Sequence, residues 1–178
     1  ATLPAAEPTD VPEIIRRYEN PESPEALPGA ISLPRHDCIH VLLGRGLHVQ
    51  YEAFIIGATM GAASDITDAA IDTFIRVSTT EYPKHWRFEE AHIASFRLGV
   101  GFSIDNLPGR NLHLIPFEQE PWQSMTVREA RKALGIVKDE LRAYFRMAEM
   151  YVPGTRASRR LDTSAHRNDV RIGHRETE

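Results

Sequence analysis

The residues best suited to chemistry sit close together in the first third of the chain. Arg35-His36-Asp37-Cys38-Ile39-His40 is followed, after eleven residues, by Glu52. On a helix, His36 and His40 project about 40° apart around the axis, and Asp37 lies about 100° from His36. One face then offers two imidazoles and a carboxylate within a single turn. Neutral nitrogen and anionic oxygen donors of this kind are what a divalent metal binds. Glu52 adds a second carboxylate, and it is the only Asp, Glu, Lys or Arg between Leu47 and Ala63. Its neighbours are Val49, Tyr51, Phe54, Ile55, Ile56 and Met60. An ionised carboxylate buried among such residues costs on the order of several kcal/mol unless a partner offsets it, and a cation removes that cost. The expectation is one metal held by His36, Asp37, His40 and Glu52; the plainer alternative is a hydrogen-bonded polar cluster. Arg45 and His48, just beyond the first of these helices, are candidates to orient an acidic head group or supply a proton. Solvated turn residues are the competing reading for both.

Several elements must position this set. Residues 35–44 read as a helix ending near Gly44 and Gly46, and 47–63 as a second helix that is apolar on almost every side, hence buried. The short glycine turn lets the second helix return antiparallel to the first, carrying Glu52 towards His40. Gly57 and Gly61, four apart, allow a close helix contact further along. Ser64 or Asp65 is placed to cap a third helix in which Ile66, Ala70, Ile71, Phe74 and Ile75 recur at helical spacing. A fourth helix is predicted from Phe88 to Ile104, and a turn over 106–111. The last helix is predicted as one element, opened by a Thr126–Glu129 capping box and continuing through Leu134, Val137, Leu141, Tyr144 and Ala148 to Pro153–Gly154.

Composition frames these elements. The chain has 178 residues, 42% hydrophobic and 26% charged, with one cysteine, which suits one domain without an internal disulfide. A formal charge of −4 does not favour nucleic acid as a partner. No segment offers about 20 uninterrupted apolar residues for a membrane crossing. Seven of the 12 prolines fall in the first 35 residues, so that region should be mostly extended. One short helix fits there, with Asp10 as cap, Pro12 in its first turn and Glu13, Ile14, Ile15 and Tyr18 following. The predicted architecture is mainly α: a single-domain bundle of five to seven helices, with a Pro-rich N-terminal segment and an extended tail. Residues 1–9 read as a flexible start, 10–153 as the metal-binding helical domain, and 154–178 as a charged tail that is disordered or ordered by a partner.

Two rival chemistries compete with this set. Glu89-Glu90-Ala91-His92 contains Glu-x-x-His, which with Asp37, His40 and Glu52 echoes part of a di-iron carboxylate site in a four-helix bundle. The competing reading places Glu89 and Glu90 in a solvated first helical turn. His36-Asp37 also suggests a phosphohydrolase of the HD type, but that class wants a further upstream His, and residues 1–35 contain none.

His36-Asp37-x-x-His40, then Leu42-Leu43-Gly44, then Glu52 after eleven residues, resembles the signature of the coenzyme Q (ubiquinone) biosynthesis family whose mitochondrial member is the fourth COQ gene product. Arg131-x-x-Leu134-Gly135-Ile136 is similar to a second stretch of that family. The strong match covers about twenty residues, and the helical layout extends it over residues 10–136. The resemblance implies zinc, or another divalent metal such as iron or manganese, on His36, Asp37, His40 and Glu52. It implies removal, with or without oxidation, of the C1 carboxylate from a polyprenylated hydroxybenzoate. It also implies a homodimer that joins other ubiquinone-biosynthesis proteins at a membrane surface. The location would be cytoplasmic and peripheral on the inner membrane in a bacterium, or on the matrix side of the mitochondrion in a eukaryote. A different class of role is a non-catalytic scaffold that holds a prenyl lipid, for which Phe54, Ile55, Ile56, Phe74, Phe96 and Phe102 supply apolar surface.

Overall fold

A computed structural model describes residues 11–151, and this part of the chain is helical without strands. In chain order the helices are α1 (Glu13–Glu19), α2 (Leu33–Leu43), α3 (Val49–Gly61), α4 (Asp68–Thr80), α5 (Glu90–Asn106), α6 (Val127–Leu134) and α7 (Lys138–Tyr151). Single 3-10 turns, Leu112–Leu114 and Trp122–Ser124, lie between α5 and α6. The expected bundle of helices is what forms. Residues 1–9, the Asp10 cap and the 154–178 tail lie outside the described residues.

The bundle is organised on α3 and α5. A Cβ at Gly57 would collide with the Phe96 carbonyl, one at Gly61 with the Val100 backbone, and one at Gly99 with the Phe54 carbonyl. Glycine at these three positions therefore lets the two backbones touch, which the spacing of Gly57 and Gly61 anticipates. Around this pair, Ile39, Leu43, Phe54, Ile55, Phe102, Leu107 and Leu112 form the main core, joined by Leu134 and Leu141 from α6 and α7. A second cluster, with Ala53, Met60, Phe74, Phe88 and Phe96, seats α4 on the other side. Phe74 stacks on Phe96 with ring centroids 4.6 Å apart. Each such side chain contributes about 1.5–3 kcal/mol on burial, so the α3–α5 pair is a rigid platform for whatever α3 carries.

Three expected boundaries are corrected. The last helix is two helices: Gly135 adopts φ +76°, and its N–H and that of Ile136 return to the Lys132 and Arg131 carbonyls, closing α6. A left-handed residue ends a helix, and glycine takes that conformation without a Cβ penalty. Apolar spacing runs through the break because Leu134, Ile136 and Leu141 all reach the same core. The α4 cap is Thr67, whose hydroxyl accepts from Ala70 N at 3.2 Å, and not Ser64 or Asp65. Ser64 donates its N–H to Asn111 Oδ1 at 2.9 Å, and Asn111 N bonds the Ala62 carbonyl, so those residues tie the predicted 106–111 turn to the end of α3. Pro12 occupies the N-cap of α1 itself, one residue ahead of Glu13. The Thr126–Glu129 capping box forms as expected.

Candidate metal centre

His36 and His40 stand one turn apart on α2 and point the same way, with ring centroids 4.8 Å apart. Helix α2 ends at Gly44, and the chain re-enters a helix at Val49, so Glu52 arrives in the first turn of α3 opposite both rings. Glu52 Oε1 lies 2.6 Å from His36 Nε2, and Oε2 lies 3.0 Å from His40 Nε2. The two Nε2 atoms are 3.0 Å apart. His36 and His40 are 8% and 3% exposed. The Glu52 side chain is 31% exposed, so the carboxylate expected to be fully buried keeps one edge open.

Hydrogen-bond chemistry shows why this arrangement suits a cation. His40 Nδ1 is 3.3 Å from the Arg45 carbonyl, which can only accept, so Nδ1 carries the proton and the neutral ring presents a lone pair at Nε2. That lone pair faces Glu52 Oε2 and His36 Nε2. The neutral His36 ring has at most one proton to share between two neighbours. Acceptors therefore outnumber protons, and either an added proton or a metal ion resolves the excess. Ligand atoms of His36, His40 and Glu52 all lie within 4.8 Å of one another. A tetrahedral ion with bonds of about 2.0–2.1 Å wants its donors about 3.3 Å apart, about 0.3–0.7 Å wider than the observed spacing, so the three side chains would open slightly to admit it. The residues present fit a divalent metal.

Electrostatics agree with a cation-seeking site. Burial opposes ionisation of Glu52, yet in the metal-free site the protonated imidazoles of His36 and His40, which donate from Nε2, hold its carboxyl well below the usual range. Burial likewise opposes charging of His36, but the Glu52 hydrogen bond and charge raise it overall.

The other expected residues are distributed around this triad. Asp37 is half-buried and outside the converging group, acting on His36 through its charge. Arg45 supplies its carbonyl to His40, while its guanidinium turns away among the Tyr51, Phe54 and Phe145 rings. Burial there lowers it to about 10. His48 is the N-cap residue of α3, its ring tilted against that of Tyr51 with centroids 5.7 Å apart, and its carbonyl accepts from Glu52 N at 2.9 Å. Glu89 and His92 cap α5: Glu89 N donates to His92 Nδ1 at 2.9 Å, so the Glu-x-x-His pattern is spent on helix capping.

Two supports come from residues distant in sequence. Arg131 on α6 donates from Nε to the Leu42 carbonyl at 2.6 Å, capping the C-terminal end of the helix that bears both imidazoles. The echo Arg131-x-x-Leu134-Gly135-Ile136 is thus a cap for α2, a core contact and the stop of α6 in one stretch. Glu19, at the end of α1, is hydrogen-bonded by the Tyr82 hydroxyl and interacts electrostatically with His36 and Glu52. No protein-family model, curated protein or solved structure matches the chain. No described helix is long and apolar enough to cross a membrane.

Proposed function

We propose that this chain holds one divalent metal on His36, His40 and Glu52 and uses it to remove the C1 carboxylate of a polyprenylated hydroxybenzoate in ubiquinone biosynthesis. The observation that carries the metal part is the Glu52 carboxylate spanning two Nε2 atoms, at 2.6 and 3.0 Å. Three protein donors of this type leave a coordination position for a ligand, as catalytic sites do. Two imidazoles and one carboxylate serve zinc and also non-haem iron, and manganese accepts such donors too. The biosynthetic step is carried by the His36-Asp37-x-x-His40-x11-Glu52 pattern.

A divalent ion bound here would polarise a ligand carboxylate and stabilise the charge that develops as CO2 departs. The chain's own residues do the rest. The Arg45 carbonyl fixes the His40 tautomer, and outer contacts of this kind orient a ligating imidazole. Arg131 steadies the end of α2. Asp37 adds negative charge beside His36 and so strengthens the site's preference for a cation.

The test is CO2 release from a prenylated 4-hydroxybenzoate by wild type and His40→Ala at matched metal loading. The reading expects release by wild type and its loss in the variant. Equal rates reject metal-centred chemistry, and prenyl-lipid binding without any CO2 release moves the protein to the scaffold role.

A further inference from the structure

Arg45 sits between two glycines, in the turn that reverses the chain from α2 to α3. Gly44 takes the left-handed conformation that closes α2, with φ +70°. A Gly-Arg-Gly turn has little stiffness of its own, since glycine restricts the backbone least. Its task is nevertheless exacting. Arg45 N–H donates to the His40 carbonyl at 2.9 Å, and the Arg45 carbonyl accepts from His40 Nδ1 at 3.3 Å. One residue thus closes the helix and orients an imidazole that the helix carries.

The Arg45 side chain supplies the stiffness that its neighbours lack. It is half-buried, and its guanidinium lies against the face of Phe145 on α7, with the Tyr51 and Phe54 ring centroids 4.6 and 5.8 Å from Cζ. A guanidinium within about 6 Å of a ring is attracted to its face, more strongly where water is excluded. Glu149, one turn beyond Phe145 on α7, lines the same pocket and attracts the cation. Phe145 is itself set edge-on against Phe54, with centroids 5.1 Å apart, so the receiving ring is held in place. Helix α7 packs on α5, and α5 on α3. The side chain therefore ties a glycine turn to the rigid part of the bundle.

We propose that Arg45 is a positioning residue of the metal centre: clamped on Phe145 and Glu149, its side chain holds its own carbonyl on His40 Nδ1, so that α7 governs the tautomer and metal affinity of an imidazole on α2. The inference rests on the metal-centre reading above. Charge and clamp act in opposite directions. Removing a positive side chain near the site would, by charge alone, strengthen binding of a divalent cation. Releasing the carbonyl weakens it, because the ligating ring is no longer oriented.

The experiment measures zinc affinity by chelator competition, and the His40 tautomer from ring 15N shifts of metal-free protein at alkaline pH. Arg45→Met and Phe145→Leu are each expected to weaken zinc binding about tenfold and to mix the His40 tautomers, which wild type holds with the proton on Nδ1. Arg45→Lys keeps the cation without the planar stack and is expected to fall between wild type and Arg45→Met. Leu141→Ala, a core truncation on α7 outside the Arg45 pocket, is expected to lose stability yet keep zinc affinity within about twofold. If Arg45→Met fails to fold, Phe145→Leu carries the test with the charge still in place. Unchanged zinc affinity or an unchanged tautomer in either folded variant, tighter zinc in Arg45→Met, or an equal loss in Leu141→Ala overturns the clamp. In those cases zinc uptake by wild type leaves the metal centre standing; no uptake by wild type overturns both.

Discussion

His40 Nδ1 lies 3.3 Å from the carbonyl oxygen of Arg45, five residues further along the chain. That contact fixes which ring nitrogen carries the proton, and so aims a lone pair at the Glu52 carboxylate. The turn that reverses the chain between α2 and α3 thereby also sets the chemistry of the imidazole on α2. Packing of α3 on α5 fixes where Glu52 arrives. The site is thus a product of helix ends more than of helix faces.

Without metal, the His36–Glu52 pair carries a pH signature. His36 is raised above its ordinary 6.5, where burial is outweighed by Glu52, and Glu52 is held below its ordinary 4.5, where burial is outweighed by the imidazoles. The Glu52 contribution to stability is present above 4.5 and is lost as pH falls through the lowered value. The His36 contribution is present below 6.5 and is lost as pH rises through the raised value. Chelated protein should therefore melt higher at about pH 5.5 than at about pH 8. Zinc should reverse that order, since imidazoles bind metal only when deprotonated. Thermal melts with EDTA and with zinc check this; parallel pH trends in both would contradict it.

Arg131 connects α6 to the exposed carbonyls of α2. Replacing it by Met is expected to cost about 1.5–3 kcal/mol, the range for a hydrogen bond from a charged group. Lys keeps the charge but not the planar fork and should recover only part of this. Denaturant unfolding and zinc affinity should fall together in Arg131→Met. Lost stability with unchanged zinc affinity would show that the α2 cap does not serve the site.

Gly57 and Gly46 offer a contrast within one protein. A Cβ at Gly57 meets the Phe96 backbone, whereas one at Gly46 meets only Tyr51 Cδ2 at 3.8 Å. Gly57→Ala should cost about 3 kcal/mol or more, and Gly46→Ala about 0.5 kcal/mol or less. Chemical unfolding of the two variants checks the ranking, and equal effects would argue against a close α3–α5 contact.

The parts of this molecule that are legible in sequence are the short-range ones. His36, His40 and Glu52 lie within seventeen positions, and periodicity with one glycine turn is enough to bring them together. Gly57 and Gly61 likewise announce a close packing face. The break at Gly135 was masked because α6 and α7 share one core, so apolar spacing continues where the backbone does not. Glu19 with Tyr82, and Arg131 with Leu42, are separated by 63 and 89 positions. Nothing local in either stretch states what the other end contributes. Asp37 shows the opposite limit: adjacency on a helix placed it in the expected ligand set, but its direction about 100° from His36 leaves it outside the converging atoms.

The most direct measurement is the zinc content of exhaustively dialysed protein by atomic emission, for wild type, His40→Ala, Glu52→Gln and Asp37→Asn. Wild type should retain about one zinc per chain, His40→Ala and Glu52→Gln under about a tenth of that, and Asp37→Asn most of it, with affinity reduced no more than about tenfold. A wild-type chain that takes up no metal when zinc is supplied, or a Glu52→Gln chain that holds zinc as well as wild type, would contradict a metal centre built on these three side chains.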